Sequence, residues 1–356
     1  MKLFDRFITL LLSISIASAK STSSVIIPPT TSNGPTHIEL IASSNMLNTP
    51  KITNIHPIMY GQAWTFDAIS SKDPSYSILA VFFDSPEYSS TNNTLSVLVY
   101  VQAGPDKLYT VASKFAEYAE LNTHGNGTSG VWKGTGCSFS ASDDMSTVTI
   151  DFTDPFEITG SVVLNAVAPP HYPCSPAEIG ASMEFLPHFG WDNALPDAKT
   201  TVDLKVNGTE VKFEDGIGYQ DLSWADISYE DALESYSWGH GKLGPYSIVW
   251  FVGEGSDGTQ KASGYVSKDG ELLSTPCSGV TVETEAAEPN STIGPIQSFT
   301  VEIPFENQVI VARLIVNNIL INAGNLVHGT GIISGGVKDG RIEYSGSAAF
   351  EHLTSA

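Results

Sequence analysis

Asp203-Leu204-Lys205-Val206-Asn207-Gly208-Thr209-Glu210-Val211-Lys212-Phe213 decides the fold class. Two strand-like runs flank Asn207-Gly208, a dipeptide that tolerates the positive φ a tight primed hairpin turn demands. The same signal recurs at Asp257-Gly258, Asp269-Gly270 and Asp339-Gly340. Elsewhere, Val, Ile, Thr and Phe alternate with polar residues, as in Ser146–Phe152 and Phe299–Ile303. Ser113–Leu121 reads as a short helix, but no long amphipathic helical period is present. Closely spaced strands with turn signals between them make an all-β protein of sandwiches or barrels.

A chain of 356 residues is long for one domain, so two are expected. The junction is placed in the Pro- and aromatic-rich stretch Pro187–Lys199, giving domains over 36–199 and 200–356. Residues 20–35, rich in Ser, Thr and Pro, read as a mobile leader. Before them, a basic start, the apolar run Phe7–Ile16 and Ala17-Ser18-Ala19 have the form of a cleaved signal peptide over residues 1–19. That run is too short to span a bilayer, which takes roughly 20 residues, and no membrane span is expected later.

Entry into the secretory pathway, as a secreted or lumenal protein, fits four N-glycosylation sequons at Asn92, Asn126, Asn207 and Asn290. Cys137, Cys174 and Cys277 allow at most one disulfide and leave one thiol over. All three free and buried as small apolar side chains is the alternative. Either way the fold rests on a core rather than on a disulfide framework. Seventeen Lys and Arg against 39 Asp and Glu give a net charge of −22, which repels phosphate backbones and disfavours nucleic acid as a partner. Nothing in the pattern specifies an oligomeric state.

The common catalytic motifs are missing. Gly239-His240-Gly241-Lys242-Leu243-Gly244 spells the dinucleotide fingerprint, but Pro245 and a strand-like run follow where a helix must start. There is no G-x-S-x-G elbow, H-E-x-x-H pair or phosphate loop, and the eight histidines lack paired metal-ligand spacing. No metal or cofactor is expected. A pair of catalytic carboxylates is not excluded, but 39 acidic residues give no way to choose one.

What remains is a set of aromatic-polar clusters: Gln62–Ser70, Gly190–Pro196, Gly216–Trp224 and Trp238–Phe251. They hold five of the six tryptophans. Such rings either fill a core or wall a cavity for a large apolar ligand. Together the clusters resemble the fungal Diels-Alderases, relatives of the hydroxyneurosporene synthases and their lipocalin-like kin. Trp238-Gly239-His240-Gly241, continued by Gly244-Pro245-Tyr246-Ser247-Ile248-Val249-Trp250-Phe251, is the most specific match. Ser263-Gly264-Tyr265-Val266 and Gly335-Gly336 also fit, so the resemblance spans roughly residues 55–350. The sequence departs from the family pattern at Gln62, where the family has Glu, and at Ala63, Gln220 and Ser223. Gln62 can exchange hydrogen bonds but cannot titrate.

The resemblance implies an N-terminal β-sandwich beside a C-terminal lipocalin-like β-barrel, with the pocket between them. It implies a cofactor-free intramolecular [4+2] cycloaddition of a linear polyene, a polyketide joined to an amino acid, giving a decalin or cytochalasan-type ring system. Such chemistry transfers no proton. Pre-ordering the reacting groups supplies up to about 7–11 kcal/mol, and each hydrogen bond to a conjugated carbonyl about 1–3 kcal/mol. The competing readings are a hydratase or isomerase on an apolar terpenoid, which needs a proton donor, and a non-catalytic carrier of an apolar small molecule.

On this reading Gln62, Tyr219, Trp224 and His240 are the candidate catalytic residues, with Gln62, Tyr219 and His240 as donors to substrate carbonyls. Trp64, Trp238, Tyr246 and Trp250 are candidate substrate-binding walls, each with core packing as its alternative. Asp67 and Asp221 either bind substrate or hold neighbours through buried hydrogen bonds, and His240 either donates or fixes a turn. Strand alternation puts Tyr246, Ile248 and Trp250 on one face, which the barrel reading makes its interior.

Overall fold

The computed structural model describes residues 22–87, 92–288 and 295–354, so the signal-peptide segment and the Asn290 sequon lie outside the described residues. Asn207 and Gly208 take φ of 47° and 80° and close a hairpin between two long strands, Phe189–Val206 and Thr209–Ala225. Both values are positive, as a primed turn requires. The other Asx-Gly pairs also lie between strands, Asp269-Gly270 again with both φ positive.

The described residues are almost wholly β, in two principal antiparallel sheets and a two-stranded one. The large sheet runs from Thr22–Ile27 at one edge to Leu108–Phe115 at the other, with the long hairpin and Gly61–Ser70 in its middle. It curls on itself to enclose an aromatic core. Phe82 meets Trp132 edge-on at 5.0 Å between centroids and Phe66 at 5.7 Å. Each such contact contributes about 0.5–1.5 kcal/mol beyond burial of area.

The second sheet has nine strands in the order 271–274, 260–268, 246–254, 235–243, 344–353, 326–337, 308–323, 296–305, 281–286. It forms the lipocalin-like C-terminal barrel. Alternation along Tyr246–Glu254 sends Tyr246, Ile248 and Trp250 into the barrel core, while Val249 and Phe251 face the large sheet. A third cluster, between the sheets, joins residues of both, including Ala63, Tyr219, Trp238 and Phe251. Gly239 and Gly241 lie mid-strand in Ser235–Leu243, and the Trp250 ring fills the space beside Gly239 so closely that a Cβ there would lie 2.2 Å from it. This run packs a tryptophan; it does not cradle a phosphate.

Three expectations are corrected. Ser113–Leu121 is not helical: Leu108–Phe115 pairs with Leu95–Ala103, and Ala119–His124 pairs with Thr22–Ile27 and Gly127–Trp132. Non-local pairing overrides a weak local helix preference. The leader is partly structured, because Thr22–Ile27 is matched residue for residue with Ala119–His124 and adds an edge strand. The junction falls not at 199/200 but over 226–234, since Phe189–Val206 and Thr209–Ala225 belong to one sheet. The prolines that suggested a loop sit in it differently: Pro187 precedes a tight turn at His188, φ 68°, and Pro196 lies where the register shifts, a place a strand tolerates proline.

Cys174 and Cys277 form a disulfide with Cα atoms 5.4 Å apart, and Cys137 is free and buried. The bridge fastens the segment after His171–Tyr172 to the C-terminal sheet. Polar contacts join the sheets elsewhere: His240 with Asp67, and Lys242 Nζ donating to Asp197 Oδ2 at 2.6 Å.

Candidate active site

Between the sheets lies a cavity of about 300 Å³. Its position follows from strand alternation. Along Thr209–Ala225, Leu222 and Trp224 point into the sandwich core, and Tyr219, Asp221 and Ser223 point the other way. Along Gly61–Ser70, Trp64 and Phe66 point inward, and Ala63 and Thr65 face the cavity. Phe189, Trp191, Tyr236, Trp238 and Phe251 give the walls their aromatic character. The linker between sheets closes one side with Tyr229, on the one-turn helix Tyr229–Ala232, and Leu233.

One polar group is built into the large-sheet wall. Asp221 Oδ2 accepts hydrogen bonds from Tyr219 Oη and Trp191 Nε1, both at 2.9 Å, and the Tyr219 hydroxyl accepts from Trp238 Nε1 at 3.2 Å. The described donors all go to Oδ2, which leaves Oδ1 for a ligand. Burial pushes the Asp221 carboxyl up to about 7, and its two hydrogen bonds only partly oppose this. Near neutral pH Asp221 therefore holds its proton far more readily than an exposed aspartate does. Burial also holds the Tyr219 hydroxyl well above its ordinary range, so it stays a donor. Behind Tyr219 its ring stacks on His240 at 4.6 Å, whose Nε2 lies 2.9 Å from Asp67 Oδ2.

The barrel wall carries a second group. Glu351 Oε1 accepts from the Tyr236 hydroxyl, Oε2 lies 3.0 Å from His328 Nδ1, and the Tyr229 and Tyr236 hydroxyls are 2.5 Å apart. Asp221 and Glu351 both line the cavity, one from each sheet.

Five of the ten sequence-chosen residues thus meet in one network: Asp67, Tyr219, Asp221, Trp238 and His240. Asp221 and Trp238 line the cavity, and the other three support them from behind. The other five lie elsewhere. Gln62 is buried in the sandwich, its Oε1 accepting from Lys51 N and its Nε2 donating to Asp84 Oδ2. Trp64 and Trp224 sit in the same core, with Nε1 atoms on the carbonyls of Asn48 and Glu39. Tyr246 and Trp250 fill the barrel. Odd-even placement on the strand, which no aromatic count reveals, separates the two sets. Sequence reading missed Trp191 as a donor, and Tyr60, Tyr229, Tyr236, His328 and Glu351 entirely. Tyr236 and Glu351 are cross-strand near neighbours on Ser235–Leu243 and Tyr344–Leu353, strands more than a hundred residues apart that pair only in the folded sheet.

The sequence model of the Diels-Alderase-like family matches residues 29–291. The quinolone epoxide rearrangement protein asqO of Emericella nidulans is 29% identical over 347 residues, covering 94% of this chain and 94% of that one. The Diels-Alderase cheD of Chaetomium globosum is 27% identical over 239 residues, covering 65% and 56%. Among solved structures, CghA with Sch210972 superposes with a TM-score of 0.75 at 16% identity, covering 94% of this chain and 99% of that one, a likeness of fold. With a family match over most of its length and the cavity between two β domains, the chain belongs to the Diels-Alderase-like family.

Proposed function

We propose that this protein is a cofactor-independent cyclase that folds a linear polyene in the cavity between its sheets and catalyses an intramolecular [4+2] cycloaddition. The observation that carries this reading is the aromatic cavity with one buried donor, Asp221, set in its wall. Confinement between Trp191, Trp238 and Phe251 supplies the ordering such a reaction needs. Protonated Asp221 supplies a hydrogen bond to a carbonyl conjugated with the dienophile, which favours the polarised transition state. The volume is at the lower end of the roughly 300–1,000 Å³ usual for ligand pockets, so the substrate is compact or leaves part of its length at the mouth.

A second reading has its own support. A cavity-facing carboxyl that holds its proton near neutral pH suits acid opening of an epoxide, and the full-length relative asqO is named for rearranging a quinolone epoxide. Both reactions conserve mass. Gene disruption in the native host, followed by mass spectrometry, tests them together. A cyclised metabolite replaced by linear isomers of equal mass supports the cycloaddition, and an accumulating epoxide of equal mass supports the rearrangement. Products that differ by one water point to a hydratase, and an unchanged profile to a carrier.

The secretory route is part of the same proposal. Asn92, Asn126 and Asn207 are exposed, and the Cys174–Cys277 bridge suits an oxidising lumen. A mass shift on treatment with an N-glycosidase is the expected result, and an unshifted, unglycosylated protein would refute it.

A further inference from the structure

Glu351 is a carboxyl that neither the cycloaddition nor the acid opening of an epoxide employs. It stands on the cavity wall contributed by the barrel, and both its oxygens are held: Oε1 by the Tyr236 hydroxyl, Oε2 by His328 Nδ1 at 3.0 Å. Tyr236 is in turn fixed by Tyr229, whose hydroxyl is 2.5 Å away, and the His328 ring stacks against Trp238 at 6.1 Å. Tyr229, Tyr236, Trp238, His328 and Glu351 all line the cavity. Each carboxylate oxygen has two acceptor sites, so one partner on each leaves capacity for a substrate proton.

We infer that Glu351 is a general base facing the Asp221 acid across the cavity, so that the site also catalyses proton-transfer eliminations and isomerisations of apolar substrates. Glu351 is the catalytic residue, and Tyr236 and His328 are positioning residues that aim it. The substrate class is an apolar molecule in which an acidic C–H lies next to a breaking bond to oxygen. In the step, Glu351 takes the proton from carbon and the C–H electron pair forms a new π bond. The bond to oxygen breaks towards oxygen, and Asp221 donates its proton there. Atoms and charge balance without a redox partner. The free enzyme is restored when Glu351 releases its proton and Asp221 regains one. This inference rests on the same cavity as the proposed cyclisation, but not on cyclisation occurring.

The test uses 5-nitrobenzisoxazole, a compact bicyclic probe that loses its C3 proton to a base as its N–O bond breaks and gives a coloured phenolate. The full-length protein is expected to turn it over saturably, well above the buffer rate. Glu351→Ala should lose at least about 100-fold in kcat, within the range for a general base, with little change in KM. Added acetate should restore part of that rate to Glu351→Ala but not raise the wild type, a readout a structural role would not give. Tyr236→Phe and His328→Gln should lose less and show no acetate rescue. If Glu351→Ala does not fold, Glu351→Gln and Glu351→Asp replace it, and Asp should retain more activity than Gln. Absence of saturable turnover, or turnover that Glu351 variants keep, overturns the inference. Polyene cyclisation measured on the same preparations separates the two ideas: cyclisation intact in Glu351→Gln with elimination lost removes neither, and cyclisation absent with elimination present removes only the cyclase reading.

Discussion

His240 Nε2 lies 2.9 Å from Asp67 Oδ2 although 173 residues separate them in the chain, and both side chains are almost fully buried. The pair spans the two sheets and backs the Tyr219 ring, so it links stability to the geometry of Asp221. Removing one partner leaves the other buried and unmatched, which costs on the order of 1–3 kcal/mol for a buried hydrogen bond. His240→Ala and Asp67→Ala should each lower the denaturation midpoint by a similar amount, and the double variant should cost less than their sum. Additive losses in a denaturant series would show that the two do not interact.

Asp221→Asn keeps the size of the side chain and a hydrogen-bond donor but cannot titrate, whereas Asp221→Leu removes the donor. The cyclisation reading predicts for Asp221→Leu a loss of about 1–3 kcal/mol in transition-state stabilisation, or roughly 5- to 160-fold in kcat. Because the wild-type carboxyl sits at about 7, its donor function is present below that pH and fades above it. The rate should fall as pH rises through about 7 in the wild type and stay flat there in Asp221→Asn. A wild-type profile flat from pH 6 to 8 would remove Asp221 from the mechanism.

Stability has its own pH dependence. Burial raises Asp84 and Asp192 to about 6 and Asp221 to about 7, while the same groups ionise near 4 when unfolded. Between those values the three carboxyls bind more protons in the folded protein and lower its stability as pH rises from about 4 to 7, while His171, pushed down to about 4 by burial, opposes only part of this. The melting temperature should be higher at pH 5 than at pH 7.5. Asp192 is fully buried, neither carboxylate oxygen accepts a hydrogen bond from the described residues, and Lys51 Nζ is 4.0 Å away. Asp192→Asn should therefore stabilise the protein at pH 7.5, by up to about 3 kcal/mol, and flatten the dependence. Destabilisation at pH 7.5 would mean that Lys51 needs the charge.

The Cys174–Cys277 bridge closes a loop of 103 residues and fastens the two domains. Replacing both cysteines by serine should cost about 2–4 kcal/mol, read as a lower melting temperature that reductant no longer changes. Burial pushes the Cys137 thiol up to about 12, so it should resist alkylation until the protein unfolds.

Ala323 is exposed at the cavity wall and marks its mouth. Ala323→Trp should raise KM about tenfold, near 1.4 kcal/mol, with kcat little changed. An unaltered KM would place substrate entry elsewhere.

Local chemistry made much of this legible. The Asn207-Gly208 turn and the alternation around it fix β structure because a positive-φ pair and a period of two admit little else. The Trp238–Phe251 segment identified the family, and Trp238, Tyr219 and Asp221 were found because they stand inside dense aromatic-polar runs.

Other features depended on pairing between distant parts of the chain. A tryptophan in a strand serves a core or a cavity according to which face of the sheet is covered, so Trp64 and Trp224 fell inward while Trp238 faced the ligand space. The domain junction at 226–234 depended on which sheet the long hairpin joined. Glu351, His328 and Tyr236 carry no local signal, because a carboxylate among 39 acidic residues becomes distinctive only through what stands opposite it. The sequence by itself determined the β class, the turns and the family, each set by residues near one another. Only the tertiary structure decided which side chains share the cavity, because that depends on strand register and on how two sheets stack.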